Sequence, residues 1–323
     1  VCHGPSREPA RRRCRDGMVD LQAAYAVCAR DCRTHYENFP VASLLLPRRM
    51  RPHVAALYAF ARAADDFADE GERSVEERHQ LLDRWRARLL EAVSGTTSTV
   101  QRPPEPGEPA HTQEIFLALG VSIRRLQLPQ ALLEDLLSAF RQDVTVTRYA
   151  TWADLFDYCR RSADPIGRLV LRIGGYASRE LDEWSDAICT ALQLTNFWQD
   201  VRSDYVRGRI YLPVEEMHAH RAEEAALVEG RVTPEWRSAI AAAVRRTRAR
   251  FDDGLPLCDR LRGRLRYEIR ATWLGGICIL DRIEAIGFDV LNHRPTITAT
   301  DFPRLAGIAL GWPKSIQRRA ATT

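Results

Sequence analysis

Between residues 21 and 285 apolar side chains return every three or four positions and almost never every second one. That period is the signature of helices laid on a shared core, so the chain is expected to be all-α. The pattern runs through 21–36, 52–68, 75–93, 129–147, 152–161, 166–176, 181–205, 234–264 and 266–285. Pro52, Pro129 and Pro234 stand where first helical turns would begin, the place where a missing N–H costs least. One stretch alternates instead, Asp143-Val144-Thr145-Val146-Thr147; no partner strand follows it, and it reads as the end of a helix. Residues 101–110 contain four prolines and a glycine and read as an exposed loop. Helical segments on both sides of that loop argue for one domain over 19–315, with a disordered basic tail at 1–18 and a frayed end at 316–323.

The net charge of +4 raises nucleic acid as a partner, and the distribution of charge answers it. Of 47 basic residues 46 are arginine, Lys314 being the one lysine, and they are interspersed with 43 acids. A nucleic-acid face would cluster them, so no nucleic-acid partner is expected, although arginine's planar fork still suits a phosphate. No apolar run reaches the roughly 18 residues that a membrane span needs. Arg11, Arg12, Arg13 and Arg15 precede no apolar signal segment. The expectation is a cytoplasmic chain with peripheral contact at the inner face of the membrane. The eight cysteines include no CxxC pair, and Cys28 with Cys32 lacks a second pair to complete a zinc site, so reduced thiols in or near the core are expected.

Two acidic clusters interrupt apolar helical segments. In the first, Arg62-Ala63-Ala64-Asp65-Asp66-Phe67-Ala68-Asp69, the residues Asp65 and Asp69 are four apart and share one helical face. Val54, Leu57, Tyr58, Phe60 and Phe67 make the rest of that segment apolar, so bare carboxylates there would repel and lose hydration unless a cation offset them. A solvated acidic helix end is the alternative, because Glu70, Gly71 and Glu72 follow at once. In the second cluster, Asn196, Asp200 and Asp204 step by four twice among Leu192, Leu194, Phe197, Trp198 and Val201. Three hard oxygen donors without His or Cys point to Mg²⁺ rather than zinc or copper. Facing each other, the clusters could clamp several Mg²⁺ ions on a diphosphate. Phe39, Tyr58, Phe60, Phe197 and Trp198 would line a chamber for hydrocarbon, their aromatic faces stabilising a carbocation.

At these residues the chain resembles the squalene/phytoene synthase family of all-helical isoprenoid synthases, over most of its length from His35 to Arg294. The resemblance rests on RxxDDxxD at Arg62 to Asp69 and NxxxDxxxD at Asn196 to Asp204, with Arg207-Gly208-Arg209-Ile210-Tyr211-Leu212-Pro213, Arg148-Tyr149 and Tyr158 with Ser162-Ala163-Asp164-Pro165-Ile166-Gly167. It implies a helical bundle around a central cavity. It also implies that Asp65, Asp69, Asn196, Asp200 and Asp204 hold Mg²⁺ and that Tyr58, Arg62 and Tyr211 act in catalysis. His35, Phe39, Tyr58, Arg62, Gln193, Trp198, Arg209 and Arg294 would bind substrate. The run His35-Tyr36-Glu37-Asn38-Phe39-Pro40-Val41-Ala42-Ser43 and the Asn196-Phe197-Trp198-Gln199-Asp200 core are similar to the bacterial hopanoid branch. That likeness implies presqualene diphosphate as substrate, ionised, rearranged and captured by water as hydroxysqualene without NADPH, with other squalene-pathway enzymes as partners. Where most family members that join two prenyl diphosphates carry basic residues, this chain has Glu37 and Gln199. Both changes remove positive charge from the phosphate neighbourhood, which suits one bound diphosphate better than two.

Other readings stay open at this stage. An NADPH-using squalene synthase or a phytoene-type coupling enzyme would share both motifs. A di-iron bundle uses Glu-x-x-His pairs, a spacing found at Glu76–His79 and Glu215–His218, and also at Glu108–His111 in the Pro-rich loop where no helix can form. A non-catalytic helical scaffold would leave Asn196 and Asp200 in an apolar helix without a reason.

Overall fold

The computed structural model describes residues 20–34, 45–95, 102–313 and 316. Among the described residues the regular elements are helices: α1 (Leu21–Thr34), α2 (Arg51–Asp69), α3 (Val75–Ser94), α4 (Thr112–Leu126), α5 (Gln130–Asp143), α6 (Trp152–Ser162), α7 (Asp164–Gly174) and α8 (Arg179–Gln199). They continue as α9 (Val201–Val206), α10 (Val214–His220), α11 (Ala225–Val228), α12 (Pro234–Gly254), α13 (Leu257–Arg260), α14 (Gly263–Ala285) and α15 (Asp301–Gly311). The all-α expectation holds.

Local chemistry sets several starts. Ser74 and Glu77 form a reciprocal capping box on α3, as Thr151 and Asp154 do on α6. Pro52 and Pro234 lie in first turns, and Pro129 is the residue just before α5. In one half, α2 packs on α1, α3, α4 and α5; in the other, α8 packs on α6, α7, α12 and α14. Phe60, Trp85 and Phe116 fill the first half, with the Trp85 indole N–H donating to the Phe60 carbonyl at 3.2 Å. Between α12 and α8, a Cβ on Gly254 would stand 2.7 Å from the Trp184 carbonyl oxygen, so the backbones meet where only glycine fits.

The alternating stretch does end a helix: α5 stops at Asp143, Val144 keeps helical angles (φ −63°, ψ −30°), and the Thr145 and Val146 N–H groups turn back to the Gln142 carbonyl at 3.0 and 2.8 Å. A partner appears only beyond that turn, where the Ile210 N–H donates to the Thr147 carbonyl at 3.0 Å beside an isolated parallel bridge between Arg148 and Ile210. The partner backbone arrives some sixty residues later in sequence, beyond any local window. Three expectations need correction. Segment 181–205 breaks at Asp200 (φ −103°, ψ 12°), and 234–264 breaks after Gly254 ahead of Pro256. Helices α4 and α15 were not expected. Their apolar residues spread around much of the helix, which blurs the three-and-four pattern. The Pro-rich loop is non-helical but tethered: Arg88, fully buried, pairs with the buried Glu108 carboxylate at 2.8 Å and donates to the Arg102 and Pro103 carbonyls.

Candidate active site

Packing places the carboxylates. Helix α2 buries Ala56, Leu57, Phe60, Ala63, Ala64 and Phe67, which turns the face bearing Tyr58, Arg62, Asp65 and Asp69 toward α8. Those four side chains line one cavity of about 410 Å³ together with Gln193, Asn196, Phe197, Asp200, Asp204, Arg209 and Tyr211. The two acidic motifs, more than a hundred residues apart in sequence, thus face a common space.

Arginines hold the acids there. Arg209 grips Asp69 with two parallel bonds of 2.6 and 2.8 Å and also donates to the Asp143 carbonyl at 2.9 Å. Arg294 reaches Asp200 in the same forked manner, at 2.5 and 3.0 Å. Arg62 spans Asp66 at 2.8 Å and Glu70 at 2.9 Å, with Asp65 farther off at 3.6 Å. Gly208, at φ +83°, makes the turn that returns Arg209: the Arg209 N–H bonds the Asp204 carbonyl at 2.8 Å, and its side chain crosses to α2.

Negative charge is still in surplus. Burial, and then the neighbouring Asp69, push the Asp65 carboxyl up to about 7; 39% of its side chain remains open to the cavity, so water there tempers the shift. Burial, and then Asp200, likewise push Asp204 up to about 7. Beneath them Asp143 accepts from the Tyr158 hydroxyl at 2.8 Å, and burial pushes its carboxyl up to about 8. Its Oδ1 is buried without a hydrogen-bond partner.

Aromatic rings form the wall: Phe197 and Tyr211 stack at 3.7 Å between centroids, 6° from parallel, with Tyr158 tilted 6.2 Å from each. A second cavity of about 270 Å³ shares Ser162, Ile166, Gln193 and Asn196 with the first. It is lined mostly by apolar groups, among them Leu46, Val54, Val170, Ile188, Leu192 and Ile269. A charged chamber therefore adjoins a greasy one.

The expected residues divide. Asp65, Asp69, Asn196, Asp200, Asp204, Tyr58, Arg62, Gln193, Arg209 and Tyr211 line the charged cavity. Trp198 does not. About 100° around the helix from Phe197, it is fully buried against Trp152 and donates to the Thr247 hydroxyl at 2.8 Å. Phe60 is core for the same reason, its face turned to Trp85 and Phe116. Arg294 touches the site through Asp200, half-exposed on a groove outside the main cavity. Gln199 is buried and turned away, donating to the Pro295 carbonyl at 2.6 Å. His35, Glu37 and Phe39 lie outside the described residues. Sequence reasoning passed over Asp143, Phe140, Leu136 and Cys32, which also line the cavity. Asp143 carried a signal, an acid at the end of an apolar segment, hidden by its place in the alternating stretch.

Residues 32–301 match the squalene/phytoene synthase family. The chain belongs to that family. It is 39% identical over 215 residues to the hydroxysqualene synthase of Zymomonas mobilis, covering 66% of this chain and 67% of that protein. With the hydroxysqualene synthase of Rhodopseudomonas palustris it shares 33% over 243 residues, 74% of this chain and 77% of that one. Phytoene synthase 3 of Zea mays is 29% identical over 286 residues, which span 87% of this chain and 64% of the maize protein. Among solved structures, squalene synthase HpnC from Alicyclobacillus acidocaldarius superposes with a TM-score of 0.74 at 38% identity, over 83% of this chain and 95% of that one. A dehydrosqualene synthase reaches 0.78 at 21% identity, covering 91% and 98%, a likeness of fold. The squalene/phytoene synthases are enzymes, and so is this chain; the isoprenoid-synthase bundle replaces the scaffold and di-iron readings. Glu215 and Glu216 are engaged otherwise, accepting from the backbone and indole N–H of Trp152.

The donor set suits the divalent ion expected from sequence. Among the described residues no three His, Cys, Asp or Glu side chains gather closely enough to hold an ion unaided. Mg²⁺ asks for less, taking one or two carboxylates and completing its octahedron with water and substrate phosphate. Oxygen donors on two facing elements, with more buried negative charge than the arginines offset, fit that ion.

Proposed function

We propose that this enzyme converts presqualene diphosphate to hydroxysqualene with Mg²⁺ held by Asp65, Asp69, Asn196, Asp200 and Asp204. The observation that carries the reading is the pair of joined cavities: charge for a diphosphate on one side, apolar wall for a C30 hydrocarbon on the other. The ion would neutralise the departing pyrophosphate. The rest falls to side chains. Arg62 and Arg209 take up phosphate charge as the carbon–oxygen bond breaks and its electron pair leaves with pyrophosphate. The Phe197–Tyr211 stack and Tyr58 present ring faces to the carbocation during its rearrangement. The apolar chamber keeps bulk solvent away until one water adds its oxygen, its proton passing to the released pyrophosphate.

Gln199 is turned to Pro295 and does not face the cavity, so its side chain does not bear on the number of diphosphates. The relatives named hydroxysqualene synthase support this reaction. Purified protein should turn presqualene diphosphate into hydroxysqualene with Mg²⁺, equally with and without NADPH, and give no product in EDTA. Squalene formed only with NADPH would overturn this assignment. So would abundant presqualene diphosphate or a phytoene-type product from a single prenyl diphosphate and Mg²⁺.

A further inference from the structure

Helix α15 turns an apolar face outward. Leu305 and Ala309 are buried beneath it, while Phe302 (45% exposed), Pro303, Ala306, Gly307 and Leu310 (64% exposed) face out. Phe302, Ala306 and Leu310 follow at intervals of four along that face, and Arg304 stands at its edge. Five large apolar side chains are exposed among the described residues, and two of them share this one short helix.

The helix is anchored rather than loosely laid down. Asp301 accepts from the Thr298 N–H and hydroxyl, both at 2.7 Å, and from Arg282 at 2.6 Å. At the other end Trp312 is buried, with the Arg270 guanidinium 4.6 Å over its ring and Trp273 edge-on at 6.1 Å. An apolar surface held this firmly toward water has a physical cost without a partner.

The geometry points to a lipid bilayer with anionic headgroups as that partner, docked on the outward face of α15. Charge complementarity favours it: Arg304 stands exposed at the edge of this face, and residues 302–313 carry no acid. A basic residue beside an apolar helix face is drawn to an anionic membrane surface. Position agrees. Helix α14 turns Ile269 and Thr272 to the apolar cavity and meets Trp312 through Arg270 and Trp273. A membrane on α15 would thus lie one helix away from the chamber. The purpose of such docking rests on the proposed lipid substrate, which enters from a bilayer because it is insoluble in water.

Flotation of the full chain with vesicles tests the docking without any prenyl diphosphate present, so its result is independent of the turnover assay. Wild type should float with phosphatidylcholine–phosphatidylglycerol vesicles and much less with phosphatidylcholine alone. Phe302→Asp with Leu310→Asp should lower partitioning at least about tenfold. Arg304→Gln should weaken binding about fivefold, and to anionic vesicles only. Leu310→Ser, the gentler change, should weaken both, and all variants should keep the wild-type melting temperature and turn over detergent-dispersed substrate normally. Absence of wild-type flotation, or undiminished flotation of the double variant, would overturn the proposal. A wild-type dimer in sedimentation that the double variant dissolves would do so too, by making this face an interface between copies.

Discussion

Asp65 and Asp69 ride a helix that runs unbroken from Arg51 to Asp69, on a face whose neighbours are locked into the core. Asn196, Asp200 and Asp204 show the same spacing of four, yet they straddle the break at Asp200, and Asp204 sits on the six-residue α9 with Ser203 and Val206 exposed beside it. One motif is a ledge; the other is a ledge plus a short arm, steadied by the Gly208 turn and by Arg209. Identical spacing therefore hides different mechanics. Packing fixes the backbone under the first pair, whereas the arm's position depends on a loop and on the arginine that bridges to Asp69 on the opposite ledge.

The largest contrast comes from removing one of the proposed ligands. Asp65→Ala and Asp200→Ala should each lower turnover of presqualene diphosphate by about 100–1000-fold, with helical circular dichroism unchanged. Persisting activity in both would break the metal assignment, and unfolding of either would show that the carboxylate is structural. Arg209→Met attacks the link between ledge and arm. With Arg209 12% and Asp69 22% exposed, the stranded carboxylate should cost about 3 kcal/mol, read by urea unfolding in EDTA. Added Mg²⁺ should restore part of that loss, because the ion replaces the missing cation.

Acidity sharpens the picture at intermediate size. Asp143 has a folded value near 8 against an ordinary 3.8, so the folded state binds the extra proton between those values. Its stability contribution is full below about pH 4 and fades as pH rises through 8. In EDTA the melting temperature should accordingly fall from pH 5 to pH 8, and Asp143→Asn should flatten that slope. A slope of opposite sign would contradict the buried acid. Gly208→Ala comes next: a Cβ there meets nothing within 4 Å, so only the left-handed backbone resists. The expected cost is about 1 kcal/mol, with Mg²⁺ affinity weakened through the arm while the α2 ledge is untouched. Trp198→Phe is the smallest test. Losing the bond to Thr247 should cost about 1 kcal/mol in stability and leave KM unchanged; a raised KM would return Trp198 to the pocket.

Much was legible before the fold because it is local. Three-and-four periodicity gives helices, and i, i+4 spacing puts Asp65 with Asp69 on one face. A second acidic stripe in an apolar segment identifies its counterpart. Legibility ended where geometry depends on distant backbone. Trp198 and Phe197 are equally apolar neighbours, and only the packing of α8 on α12 decides which one meets the cavity. The stretch after Asp143 first turns back on Gln142, and Thr147 and Arg148 then meet the Ile210 backbone, which no local window contains. Gln199 read as a missing cation, but its turn toward Pro295 came from the return of the chain after α14.

By itself, then, the sequence determined the helices, the two oxygen-rich motifs and the family likeness, since each follows from spacing along a few turns. The tertiary structure decided that two ledges share one cavity, that Arg209 and Arg294 occupy their carboxylates, that Asp143 lies buried beneath them, and that α15 faces outward. Those outcomes turn on which faces meet across the core, and a helix's sequence specifies its own apolar stripe without naming the surface that will cover it.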